Sequence, residues 1–198
     1  MKDLKEYIVE KIFDTNEDTI DKNIKDQIKQ FLKDNFKGVS LCKISDKPNA
    51  DGKYEVSSNK DIIVENKKIT SLTNGMFIWA IVGGDFGCVG CNLLTSLKGA
   101  PKEVGGDFIC GWCDSLESLE GAPKEVGGDF GCYYCTSLKS LKGAPTKVKG
   151  DFMCPRCSSL TSLEGAPKEI GGDFECGKNG FTTDDIKKVS NVKGMIRV

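Results

Sequence analysis

The chain has 198 residues, with 28 basic and 29 acidic side chains, no histidine and a formal net charge of −1. Near-cancelling charge, with no block of like charges and no aromatics interleaved with basic clusters, leaves no nucleic-acid footprint, and no apolar run reaches the ~18 residues of a membrane span. The absence of histidine removes the commonest general base and the mixed Cys/His zinc sites, so an ordinary hydrolase triad is disfavoured.

In chain order, residues 3–13 place Leu4, Ile8, Val9, Ile12 and Phe13 at helical spacing among Lys and Glu, which predicts a short amphipathic helix. A second helix is predicted over about 19–36, with Ile20, Ile24, Ile28, Phe31 and Leu32 on one stripe and Gly38 as its stop. Together they form an N-terminal helical head, residues 1–38. From 39 to 82 the pattern changes to short β-forming segments at 39–42, 53–56, 62–64 and 76–82, a β-rich capping region. Within it, residues 69–75 echo a phrase that becomes regular later, a degenerate first repeat with a small insertion.

Over residues 83–176 the phrase D-F-x-C-x-x-C-x-S-L-x-S-L-x-G-A-P-x-x-V-x-G returns every 22 residues, opened by Asp85-Phe86, Asp107-Phe108, Asp129-Phe130, Asp151-Phe152 and Asp173-Phe174. A fixed period of this length predicts a solenoid, because one unit cannot bury its apolar residues alone. The fifth unit keeps Cys176 but has Asn179 where the second cysteine stood. Residues 177–198 then read as a C-terminal cap, with a short helix at 181–189 carrying acids in its first turn and a final strand at 195–198.

Phe130, Cys132, Cys135 and Leu138 fall at offsets 0, 2, 5 and 8 of one unit. On these residues the array resembles the leucine-rich-repeat family, whose L-x-L-x-x-(N/C)-x-x-L phrase has the same offsets. It is most similar to the short repeats of bacterial effectors, whose T-S-L-P-x-L-P stretch resembles residues 161–167, and to repeat proteins encoded by bacteriophages and gut bacteria. The resemblance implies an α+β fold: one parallel-sheet leucine-rich-repeat-like solenoid with a helical head and a short cap. It also implies that Gly-Ala-Pro opens a returning convex segment, and that a cysteine ladder replaces the family's asparagine ladder. Strand alternation points the Phe and the first Cys of each unit inward, and Gly87, Ile109, Gly131, Met153 and Glu175 outward.

The CxxC pairs Cys88/Cys91, Cys110/Cys113, Cys132/Cys135 and Cys154/Cys157 have the 18-residue separation of zinc ribbons, but duplication of one coil produces the same spacing. Residues three apart in an extended strand lie ~10 Å apart, too far to chelate unless the second cysteine turns in. Structural thiols with no cofactor are the expectation, and a zinc or iron–sulfur scaffold on these eight cysteines is the alternative. The aspartates are expected to cap N–H groups of their own Gly-Gly-Asp turns, and the recurrent Lys102, Lys124, Lys168 and Glu103, Glu125, Glu169 to form a solvated stripe. In so uniform an array, the departures mark where a ligand would touch. Trp112, Tyr133, Tyr134, Met153 and Arg156, with Ile109, lie on neighbouring coils and are the candidate partner-binding residues.

No nucleophile–base pair, phosphate loop or carboxylate dyad stands out, so the function expected is non-enzymatic capture of another protein, as adaptor or inhibitor. A phage or bacterial structural component docked by Leu4, Ile8 and Ile12 is a further alternative. The N-terminal residues 1–6 lack a signal peptide's apolar core, from which a cytoplasmic location, in a bacterial cell or phage-infected host, is expected.

Overall fold

A computed structural model describes residues 17–198, so the amphipathic segment at 3–13 lies outside the described residues. The described chain is a β-solenoid with two stacks of strands. The first sheet runs in the order β1 (Phe36–Lys37), β4 (Ile62–Val64), β6 (Phe86–Gly87), β8 (Phe108–Ile109), β10 (Phe130–Gly131), β12 (Phe152–Met153), β14 (Phe174–Glu175) and β16 (Ile196–Arg197). The second comprises β2 (Lys43–Ile44), β3 (Tyr54–Ser58), β5 (Phe77–Val82), β7 (Glu103–Val104), β9 (Glu125–Val126), β11 (Lys147–Val148), β13 (Glu169–Ile170) and β15 (Asn191–Val192). All neighbours pair in parallel except β1 with β4 and β2 with β3, which close the N-terminal edges antiparallel.

The second sheet corrects the expectation of a single one. Val104, Val126, Val148 and Ile170, assigned by the sequence to the returning convex segment, each occupy a strand and are buried, stacked after Val82 of the expected 76–82 strand. The physical reason is the corner between Val or Ile and Phe, Gly-Gly-Asp in most coils and Lys149-Gly150-Asp151 in one: it lets one coil lay a strand on each side of one core. Pairing also begins earlier than the regular phrase, at β3 and β4.

Every Phe of the phrase is buried, and their rings form a column: Phe86–Phe108, Phe108–Phe130 and Phe130–Phe152 have centroids 5.4, 5.4 and 5.5 Å apart. The coil rise of about 4.8 Å sets this spacing, close to the offset-stacking optimum of aromatic pairs. Leu94, Leu97, Leu116, Leu119, Leu138, Leu141, Leu160 and Leu163 fill the third side of the core.

The aspartates work between coils and not within their own turns. Asp85 accepts from the Asp107 N–H at 2.8 Å, Asp107 from Asp129 at 2.8 Å, Asp129 from Asp151 at 2.7 Å and Asp151 from Asp173 at 2.7 Å. Asp61 begins this ladder and the Met195 N–H ends it. The glycine before each aspartate is required by the same contact: a Cβ on Gly106 would lie 2.0 Å from the Asp85 Oδ1.

Helix α1 (Glu17–Asn35) covers the N-terminal end with Ile28 and Leu32 buried, while Ile20 remains exposed. The Tyr54 hydroxyl donates to Asp21 and ties the helix to β3. The segment at 39–42 is a 3-10 turn, Val39–Leu41, and not a strand. At the other end, α2 (Thr183–Val189) starts with a capping box between Thr182 and Asp185 and buries Ile186. Among the described residues no helix is long and apolar enough to cross a membrane.

Candidate functional site

The candidate binding residues sit on the outer side of the first sheet and on the turn that follows it. The turn is the two residues inside each CxxC. Its second residue adopts a left-handed backbone at every coil: Gly90 (φ 71), Trp112 (φ 54), Tyr134 (φ 57), Arg156 (φ 59) and Lys178 (φ 68). This turn corrects the reading of CxxC as extended strand, because it swings the second cysteine into the core.

There Cys113, Cys135 and Cys157 donate their thiol hydrogens to the carbonyls of Cys88, Cys110 and Cys132 in the preceding coil, at 3.1, 3.2 and 3.1 Å. Asn179 donates to Cys154 in the same way at 2.7 Å. All ten thiols are free. Burial pushes the Cys91 and Cys176 thiols up to about 11 and raises Cys135 and Cys154 as well. The hydrogen bond between Cys132 and Cys157 raises the first and lowers the second. Among the described residues no three Cys, Asp or Glu side chains converge as a metal cage requires, and that includes Cys88, Cys91, Cys110, Cys113, Cys132, Cys135, Cys154 and Cys157. A buried thiol held protonated by its surroundings is a poor ligand and a poor nucleophile.

Left-handed backbone costs a non-glycine residue about 1–2 kcal/mol. Glycine, present in the first of these turns, adopts it freely. The chain nevertheless places large side chains there, exposed at Trp112 and Arg156 and half-buried at Tyr134. Trp112 stacks on Tyr134 with centroids 4.9 Å apart and planes 10° apart, and the Arg156 guanidinium lies 5.3 Å from the Tyr134 ring centre. The result is a continuous row, Trp112–Tyr134–Arg156, extended by exposed Lys178. Its backbone is fixed by a ladder in which Gly90, Trp112, Tyr134 and Arg156 donate to the carbonyls of Gly111, Tyr133, Pro155 and Gly177.

Tyr133 behaves differently from Tyr134. Its ring lies on glycine backbone, 2.2 Å from where a Gly111 Cβ would be and 3.1 Å from that of Gly131, and its edge meets Trp112 at 5.0 Å. Tyr133 therefore orients Trp112 while covering the sheet. Ile109 and Met153 flank Gly131 on the same face, both half-buried, and Ile109 leans over Gly131. The structure thus brings Ile109, Trp112, Tyr133, Tyr134, Met153 and Arg156 onto one face of three adjacent coils.

The sequence reading passed over Gly90, Lys178 and the exposed Ile63. Gly90 and Lys178 share the coil offset of Trp112, and that offset is the signal for both; Ile63 pairs with Gly87 at the Ile109 position, but lies 24 residues before it rather than 22, which hides the register in sequence. On the opposite sheet, Lys102, Lys124, Glu103 and Glu125 line an open groove of about 840 Å³ with Ile81 and Lys149. Their charges alternate and face solvent, as expected for a solvated stripe.

No family model, curated protein or solved structure matches the chain.

Proposed function

We propose that the protein is a non-enzymatic binding module, an adaptor or inhibitor that captures another protein through the face around Trp112, Tyr134, Met153 and Arg156. The observation that carries this reading is the left-handed row. At a position where glycine is free of strain, three coils in succession hold Trp, Tyr and Arg, and Trp112 is 49% exposed. Stacking of about 0.5–1.5 kcal/mol returns part of the backbone cost, and a partner's contact supplies a reason for the remainder. Trp, Tyr and Arg are also the residue types that dominate binding energy at interfaces.

Leucine-rich-repeat-like identity is part of the proposal. It is supported by Asn179, which makes toward Cys154 the hydrogen bond that cysteine makes in the other coils. That interchange is the one the family phrase permits at its Asn/Cys position.

The test is affinity capture from the cells that make the protein. The double variant Trp112→Ala/Tyr134→Ala loses the partner that the wild-type chain and the second-sheet variant Lys124→Ala retain. Equal recovery by all three would overturn the assignment.

A further inference from the structure

The row has one vacant step. Gly90 occupies the same turn and left-handed backbone as Trp112, Tyr134, Arg156 and Lys178, and the same hydrogen-bond ladder as the first three, yet carries no side chain. Nothing lies within 4 Å of where its Cβ would be. Tyr134 stacks on one face of the Trp112 indole, and Tyr133 meets it in a T-shaped contact at 5.0 Å. The coil on the far side of Trp112 from Tyr134 presents Gly90 at the same position, one coil rise or about 4.8 Å away, with no side chain of its own.

The far end of the same stack displays the chemistry that this space accepts. There the Arg156 guanidinium closes the row against Tyr134 at 5.3 Å. A tryptophan face attracts a cation more strongly than a tyrosine face does, and guanidinium stacks flat where ammonium cannot. Arg156 and Lys178 place positive charge at the row's C-terminal end, and Lys67, whose ammonium donates to the Val64 carbonyl at 2.7 Å, places one beside the Gly90–Cys91 end.

Carboxylates on the neighbouring coils offset this charge. Asp85, Asp107, Asp129 and Asp151 run parallel to the row, each five residues before Gly90, Trp112, Tyr134 or Arg156 of its own coil. Each uses Oδ1 in the ladder. Among the described residues only Asp173 of this stripe is paired with a cation, Arg197 at 2.7 Å. Asp114, two residues beyond Trp112, is exposed as well. A partner lying on the first sheet thus meets a line of carboxylates on one side and an open indole on the other.

We infer that the step above Gly90 is a guanidinium slot, which takes an arginine side chain of the partner protein and extends the stack to Arg–Trp112–Tyr134–Arg156. This rests on the binding reading above.

The probe is the peptide acetyl-Gly-Arg-Gly-amide, with its citrulline counterpart as a planar neutral control, titrated while the Trp112 indole N–H is followed by NMR. The arginine peptide is expected to shift that resonance saturably and at least tenfold more tightly than the citrulline peptide. Gly90→Arg fills the slot from within, at a backbone conformation that four other non-glycine residues of the chain adopt. It should shift the indole resonance without peptide and abolish the titration. Equal response to citrulline, no saturable response to arginine, or unchanged titration in Gly90→Arg would overturn the slot. If Gly90→Arg still captures the partner that Trp112→Ala/Tyr134→Ala loses, the binding face stands and the slot falls.

Discussion

The Asn179 amide donates to the Cys154 carbonyl at 2.7 Å, from the place in its coil where Cys113, Cys135 and Cys157 donate their thiol hydrogens in theirs. The substitution leaves a cost: Asn179 Oδ1 is buried with no hydrogen-bond partner. An unsatisfied buried acceptor costs about 1–3 kcal/mol. Asn179→Cys removes that acceptor and keeps a donor, so we expect it to stabilise the chain by about 1 kcal/mol, which calorimetric melting would register as a rise of about 2–4 °C. A lower melting temperature would contradict the ladder's equivalence of the two residues.

The aspartate ladder predicts a distinction between two neutral substitutions. Asp107→Ala leaves the Asp129 N–H without its acceptor, at a cost of about 1–2 kcal/mol. Asp107→Asn retains an oxygen at that place and should cost less than half as much. Urea unfolding of the two variants decides it, and equal losses would mean that the carboxylate is merely solvated.

Backbone strain at Trp112 is separable from its stacking. Trp112→Ala loses the contact with Tyr134 and keeps the left-handed penalty, whereas Trp112→Gly loses both. The glycine variant should therefore be more stable than the alanine variant by about 1 kcal/mol. If alanine is equal or better, the turn is not strained and the argument from it to function weakens.

Stability should fall at alkaline pH. Cys91 and Cys176 ionise near 9 when unfolded and at about 11 when folded, because burial disfavours the thiolate. Tyr54 rises from 10 to about 12, held by its hydrogen bond to Asp21 and then by burial. Each folded-state value is raised, so the contribution is complete below the unfolded value and is lost as pH climbs through the folded one. The urea midpoint is expected to hold from pH 7 to 8.5 and to drop between pH 9 and 12, with Tyr54→Phe blunting the upper part of the drop. A midpoint flat to pH 11 would contradict the burial of these groups.

The repeat period made the solenoid, the inward Phe and Cys column and the clustering of Trp112, Tyr134 and Arg156 on adjacent coils legible in sequence, since each follows from offsets that recur. The second sheet was not, because Val104 and its equivalents form strands of only two residues, too short for alternation to register. The inter-coil aspartate bonds were equally hidden. Asp107 and the Asp129 N–H are 22 residues apart, and local turn chemistry offers a nearer partner. The left-handed turn escaped for a further reason: Trp112, Tyr134 and Arg156 are residue types that seldom adopt it, so only Gly90 at the same offset pointed there.

Site-specific photo-crosslinking inside the cells that make the protein tests the binding face most directly. A benzophenone side chain is placed in turn at Tyr134 and Arg156 on the row, and at Lys124, Glu125 and Lys168 on the second sheet. The account predicts one crosslinked partner of constant mass from both row positions and none from the second sheet. Crosslinks confined to Lys124, Glu125 or Lys168 would place the functional surface on the opposite side of the solenoid.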